Sequence, residues 1–234
     1  MEIEMKQTLY RHVKYFPYRM EIALNVVTQL GKQITPDFVI DKSNEFLYKN
    51  LIKWVHNDVS MLCTHPDTSQ PMCGRLNKGI YIAGGIGTGK SCALEIMSKY
   101  SQIDDVKLMI GGVEKNLSWR NIRTDDVCAA YEEHGTITEF KSEPIIGFQD
   151  LGSKSEPRES VNMGNRIPVM AQILCSRGDA NNKITLITSN FPMKHKNIMD
   201  RYDEPVVSRL VNMCNYFELK GIDRRTIFYL KSVK

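Results

Sequence analysis

The residues best able to do chemistry lie in "GGIGTGKS", positions 84–91. They fit the spacing G-x-x-x-x-G-K-[ST], and each fixed position has a mechanical reason. Glycines let the backbone curl until successive N–H groups point at one spot, where a phosphate is held. A helix starting at the end of the loop adds the positive end of its dipole. The Lys90 ammonium reaches the outer phosphates, and the Ser91 hydroxyl can ligate Mg²⁺. The nucleotide-contacting stretch is expected to comprise Gly84, Gly85, Ile86, Gly87, Thr88, Gly89, Lys90, Ser91 and Cys92. The pattern cannot lose Lys90, whereas Gly87 and Thr88 occupy its variable positions.

Such a loop works only between a strand and a helix, and the flanking sequence supplies both. "GIYIAG" reads as a short buried strand and "KSCALEIMSKY" as a helix. Further on, strands are expected near 107–110 and 117–123, in "PIIGFQDLG", in "KITLITSN" and in "NYFELKG". Helices are expected in "DDVCAAYEEHG", through most of 163–178 from near Pro168, and in "DEPVVSRLVNMC". Strands alternating with helices imply a parallel sheet covered on both faces, with the ligand at the carboxyl ends of the strands. Upstream, Ile22, Ala23, Val26, Val27 and Leu30 recur at helical spacing, and Gly31 is placed to end that helix. A second helix is expected over 43–57 with Ser43 as its cap. The polar stretch 63–77 reads as a loop. It divides a small helical N-terminal region, 1–75, from a nucleotide-binding core, 76–234.

Composition narrows the partners. The chain has 234 residues, 42% apolar and 25% charged, with a formal charge of +4, which permits nucleic-acid contact without demanding it. Its six cysteines show no CxxC spacing, and they read as reduced thiols in a cytosol rather than as a disulfide framework. Cys63, His65 and Cys73 lack a fourth ligand and a familiar zinc spacing. No apolar run approaches the length that spans a bilayer, and residues 1–16 carry charges where a signal peptide would be apolar. A cytoplasmic location in bacteria, or of a phage protein in its bacterial host, is expected.

After the phosphate loop come "IIGFQDLG", "LITSN", "YDEPVVSRLVNMCNYFELKG" and "GIDRR", in that order. This series resembles the DnaC-type replicative helicase loaders and the related IstB transposition helper ATPases of the AAA+ class, over roughly 76–228. The resemblance implies an α/β P-loop NTPase of the AAA+ ASCE type. Its core would have three α/β/α layers around a central parallel sheet, with ATP and Mg²⁺ as cofactors. It also implies roles residue by residue. Asn190 matches the polar strand tip that holds the attacking water or reads the γ-phosphate. Arg209 matches the arginine that one subunit inserts into a neighbour's site. Arg224 and Arg225 fall at the C-terminal arginine signature, with Arg224 taken as the nucleotide contact. Asp150, with Ser91, would serve the metal.

Two departures bear on activity. The acidic strand of these loaders ends in two acids, and here the pair is Gln149–Asp150. A neutral amide is a weak partner for a hard cation. If Asp150 is the metal acid instead, the next residue is Leu151, so either register is one carboxylate short. Glu156, in the following loop, is a candidate to supply it. Secondly, Pro205 stands where the family often carries an arginine, leaving Arg209 alone on the neighbour-facing helix.

The leading expectation is an ATP-dependent helicase loader. It would form nucleotide-dependent homo-oligomers on single-stranded DNA and hold the replicative helicase through residues 1–75. Arg120, Arg123, Arg166 and Arg177 are candidate DNA contacts. A transposition helper with a transposase as client, or an adaptor that binds nucleotide without hydrolysing it, fits the same motifs. A small-molecule kinase would need an acceptor lid, and no segment resembles one.

Overall fold

The computed structural model describes residues 10–12, 14–103, 106–110, 112–180 and 182–225. Among the described residues the first elements are β1 (Tyr10–His12), α1 (Met20–Ile34) and α2 (Glu45–Val55). A hairpin of β2 (Leu62–Thr64) and β3 (Pro71–Cys73) precedes β4 (Gly79–Gly84) and α3 (Lys90–Ser101). Next come β5 (Lys107–Ile110), β6 (Val113–Asn116), β7 (Arg120–Arg123), α4 (Thr124–His134) and α5 (Thr138–Ser142). β8 (Ile145–Leu151) is followed by a hairpin of β9 (Ser160–Asn162) and β10 (Asn165–Ile167), and by α6 (Val169–Asp179). β11 (Ile184–Ser189), α7 (Lys196–Met213) and β12 (Cys214–Leu219) are the last elements among the described residues.

Five strands form a parallel sheet in the order β12-β4-β11-β8-β7. The two central strands are buried almost throughout, as a sheet covered on both faces requires. Alternation along β4 divides the core. Ile80 and Ile82 join α1, α2 and α3 on one face, with Val27, Leu51, Ile52 and Leu94. Tyr81 and Ala83 join α4, α6 and α7 on the other, with Val127, Ile173 and Leu210. The three-layer α/β/α core read from the sequence is therefore present. The N-terminal helices are built into one of its layers: Trp54 of α2 is 1% exposed and donates its indole N–H to the Lys78 carbonyl at 2.9 Å. No helix among the described residues is long and apolar enough to cross a membrane.

Several local expectations need correction. The polar stretch after residue 62 is a β-hairpin rather than a loop. It lies beside β12, where Ser69 donates to Glu218 at 3.0 Å. β5 is a strand outside the parallel sheet, paired antiparallel with β1 and β6. Residues 160–167 form the β9–β10 hairpin, which no expectation covered, whereas α6 begins at Val169, next to the start near Pro168 read from the sequence. Gly31 lies inside α1, which runs on to Ile34. A Cβ there would come within 2.1 Å of the Phe38 ring, so the glycine serves close packing and not helix termination. Asn44, not Ser43, occupies the cap position of α2.

Candidate nucleotide-binding site

β4 delivers the chain to the loop, and α3 starts at Lys90, as a phosphate site demands. Gly87 (φ 72°) and Gly89 (φ 98°) both adopt left-handed backbone. Gly87 is less free than its variable motif position implies, because a Cβ there would lie 1.8 Å from Asp223 Oδ1. The Lys90 side chain is folded in. It is 5% exposed and donates to the Gly85 carbonyl at 2.7 Å and to Asn190 Oδ1 at 2.9 Å. Burial lowers its pKa, and the nearby Asp150 carboxylate works against that shift. Asn190 follows directly on β11, which neighbours β4 in the sheet, so strand order alone carries it to Lys90.

Ile86 to Cys92, Asp150, Asn190 and Arg224 line one cavity of about 470 Å³ at the carboxyl ends of the strands. Gly84 and Gly85 line an adjoining cavity of about 330 Å³ together with Asn190. The residues expected to contact a nucleotide therefore lie close together around one loop.

Asp150 sits at the end of β8 in left-handed backbone (φ 60°), and its N–H donates to Thr188 Oγ1 at 3.1 Å. Its carboxylate lies 3.3 Å from Arg123 Nη1. Arg123 closes β7 opposite Gln149 and also makes a two-point contact with Asp125 at 3.0 and 3.1 Å. Arg123 therefore lines the cavity, a placement its charge alone did not disclose. Leu151, the next residue, is fully buried. Glu156 does not reach the cavity. It is 2% exposed, accepts from the Gly152 N–H at 2.9 Å and from the Tyr202 hydroxyl, and pairs with Arg201 at 3.5 Å. Burial pushes its pKa up despite those hydrogen bonds. Serine hydroxyl and carboxylate, Ser91 and Asp150, do share the cavity. That set fits Mg²⁺, which takes one or two protein ligands and completes its shell with phosphate oxygens and water.

The opposite wall came from residues that carried no motif: Thr35, Asp37, Phe38, Asn44 and Tyr48. Arg224 straps this wall to the phosphate loop. Its backbone N–H donates to the Gly87 carbonyl at 3.0 Å, and its guanidinium donates to Asp41 (2.8 and 3.0 Å) and Ser43 (2.8 Å). Arg225 also lines the cavity, and its positive charge contributes to the lowered pKa of Lys90.

The remaining basic candidates separate by environment. Arg177 is 1% exposed and bonds to Thr185, Phe140, Glu143 and Ile184, so it is a core residue and no DNA contact. Arg120 pairs with Glu143 at 2.9 Å and Arg166 with Glu159 at 3.5 Å, both at the surface. Arg209 lies outside the cavity on α7, which kinks at Asp203 (φ 61°) just ahead of Pro205. There it makes a two-point contact with Asp179 at 2.8 and 3.2 Å. Cys63 and Cys73 are one step out of register on the β2–β3 hairpin, so their side chains lie on opposite faces, Cys63 buried and Cys73 exposed, and among the described residues no three His, Cys, Asp or Glu side chains gather as a metal site would need.

No family profile matches the sequence, and no curated protein matches it. Solved structures do. The DnaC helicase loader is 17% identical with a TM-score of 0.51, covering 80% of this chain and 96% of that one. A candidate primosome component from Streptococcus pyogenes serotype M3 is also 17% identical with a TM-score of 0.51, covering 86% and 98%. With the sheet order and the strand–loop–helix at Lys90, these likenesses show that the chain has the α/β P-loop NTPase fold in the form shared by DnaC-like structures.

Proposed function

We propose that the protein is an ATP-binding AAA+ helicase loader that assembles on single-stranded DNA when nucleotide is bound. One observation carries this reading. The Lys90–Asn190 pair lies at the phosphate end of a nucleotide-sized cavity, in a fold that spans nearly the whole length of the DnaC helicase loader. Lys90 and the loop N–H groups would hold the β and γ phosphates, with Ser91 and Asp150 holding Mg²⁺. The metal would neutralise phosphate charge there. Arg209 would act on a neighbouring subunit's nucleotide, Arg120 and Arg166 would face DNA phosphates, and residues 1–75 would engage the helicase in the bacterial cytoplasm. Binding of the full chain to the replicative helicase should require ATP and be lost in Lys90→Ala. Equal binding with and without ATP, or binding to a transposase alone, would defeat this reading.

A second reading, a nucleotide-gated adaptor that holds ATP and turns it over slowly, is favoured by the acids. Asp150 is tied to Arg123, Glu156 is tied to Tyr202 and Arg201, and Gln149 is neutral. General-base activation of water needs a carboxylate within hydrogen-bond reach, and among the described residues the only other carboxylate lining the cavity is Asp37, which comes from the segment between α1 and α2 and not from the acidic strand.

A further inference from the structure

The surroundings of Arg209 go beyond those of an ordinary surface ion pair. α6 and α7 meet at Gly178. A Cβ added there would lie 2.7 Å from Arg209 Cβ and 3.0 Å from Cγ and Cδ, so the aliphatic stem of Arg209 rests directly on the α6 backbone. Gly178 is not among the residues with positive φ, so what it contributes is space rather than conformational freedom. The next residue, Asp179, ends α6 and takes the guanidinium edge at 2.8 Å through Nε and 3.2 Å through Nη2. A third bond runs from Nη1 to the Pro205 carbonyl at 3.0 Å, one turn back on α7. Pro205 stands in the first turn after the kink at Asp203, so the kink sets the position of that acceptor. The fork is thus anchored at three points. A guanidinium has five N–H groups, and two remain for an incoming acceptor. The Arg209 side chain stays 33% exposed.

The geometry points to Gly178 and Asp179 as a positioning seat: they hold Arg209 extended at the subunit surface, with two donors directed outward for a polyphosphate bound to a second copy of this chain. This rests on the reading of Arg209 as a trans-acting cation. An unseated arginine would lose much more rotamer freedom on docking. The arrangement also accounts for the loss of a second arginine at position 205. In its place stands a residue whose carbonyl steadies the remaining one.

The test is sedimentation of the full chain over a range of protein concentrations with Mg-ATP. Asp179→Ala should raise the concentration for half-assembly by about five-fold, a value at the upper end for an exposed ion pair. Asp179→Glu should recover most of the loss, and ATP binding by dilute monomer should stay unchanged in Asp179→Ala. A merely structural role would not predict the next result: Asp179→Ala should add nothing in an Arg209→Ala background. Mixing sharpens this. Lys90→Ala chains supply Arg209 to Arg209→Ala chains, so Asp179→Ala should weaken mixed assemblies only when carried by the Lys90→Ala chain. Wild-type assembly by Asp179→Ala while Arg209→Ala is impaired, tighter assembly by Asp179→Ala, or equal effects on either chain of the mixture would overturn the seat. If the wild type shows no ATP-dependent assembly, or Arg209→Ala matches it, the trans-acting reading itself fails and the seat with it.

Discussion

The nucleotide cavity has two walls of different construction. One wall is a continuous stretch of the loop, Ile86–Ser91, which offers backbone N–H groups and Lys90. The facing wall is assembled from residues 35–48, upstream of the loop, and is strapped in place by Arg224 from the far end of the chain. The first wall needs only local backbone geometry. The second exists only once α1, α2 and the segment after β12 have docked. A local wall can be strong and constant, whereas an assembled wall can respond to what binds the N-terminal region.

That contrast can be tested from its strongest element downward. Lys90→Ala should reduce ATP affinity by about ten- to 150-fold, since a charge-assisted contact to phosphate is worth roughly 1.5–3 kcal/mol and Asn190 loses its partner as well. Calorimetric titration measures it, and a loss below ten-fold would shift the weight of binding to the facing wall. Gly87→Ala should come next. Left-handed backbone costs a residue with a Cβ about 1–2 kcal/mol, and the new methyl must displace Asp223, so both melting temperature and ATP affinity should fall.

Arg224→Ala should have a smaller effect on affinity, about three- to ten-fold, because it loosens the facing wall without touching the phosphate loop's own donors. Amide exchange over 35–44 should quicken in this variant while exchange in α3 stays slow. A uniform rise across both walls would contradict the division. The gentlest test is pH. Burial alone would raise the Asp41 pKa, but hydrogen bonds from Ser43 and then Arg224 outweigh it and hold the carboxyl below its usual range. A depressed pKa gives stability that is present above the unfolded value, near 3.9, and lost as pH falls through the folded value. The strap should therefore persist through neutral and mildly acidic pH and release only below about pH 4. Exchange over 35–44 follows it, and the acid dependence should flatten in Arg224→Ala.

What the sequence disclosed follows the same division. The phosphate loop, the strand that carries Asp150, the Asn190 tip and the part of α7 after its kink were legible because each depends on a few adjacent residues and one periodicity, whereas residues 196–202 of α7 were not expected. Thr35, Phe38 and Tyr48 were not, because nothing local distinguishes a cavity-lining residue from a core one. Charge misled where burial decided. Arg177 reads as a surface cation yet anchors four groups in the core, and Glu156 reads as a spare acid yet is enclosed with Tyr202. The 160–167 hairpin went unread because its apolar residues are few, and Met163–Gly164 adopts a turn with positive φ at both positions, a preference of Asn-Gly pairs that Met hides.

With a single acid at the end of β8, tied to Arg123, where the loaders it resembles carry two, the site is expected to bind ATP and turn it over slowly. Steady-state phosphate release with Mg-ATP, single-stranded DNA and replicative helicase measures this directly. The predicted result is saturable ATP binding with turnover below about 0.1 per second, some hundred-fold under the rate typical of enzymes. Brisk turnover, abolished by Asp150→Ala and untouched by Gln149→Ala, would contradict it.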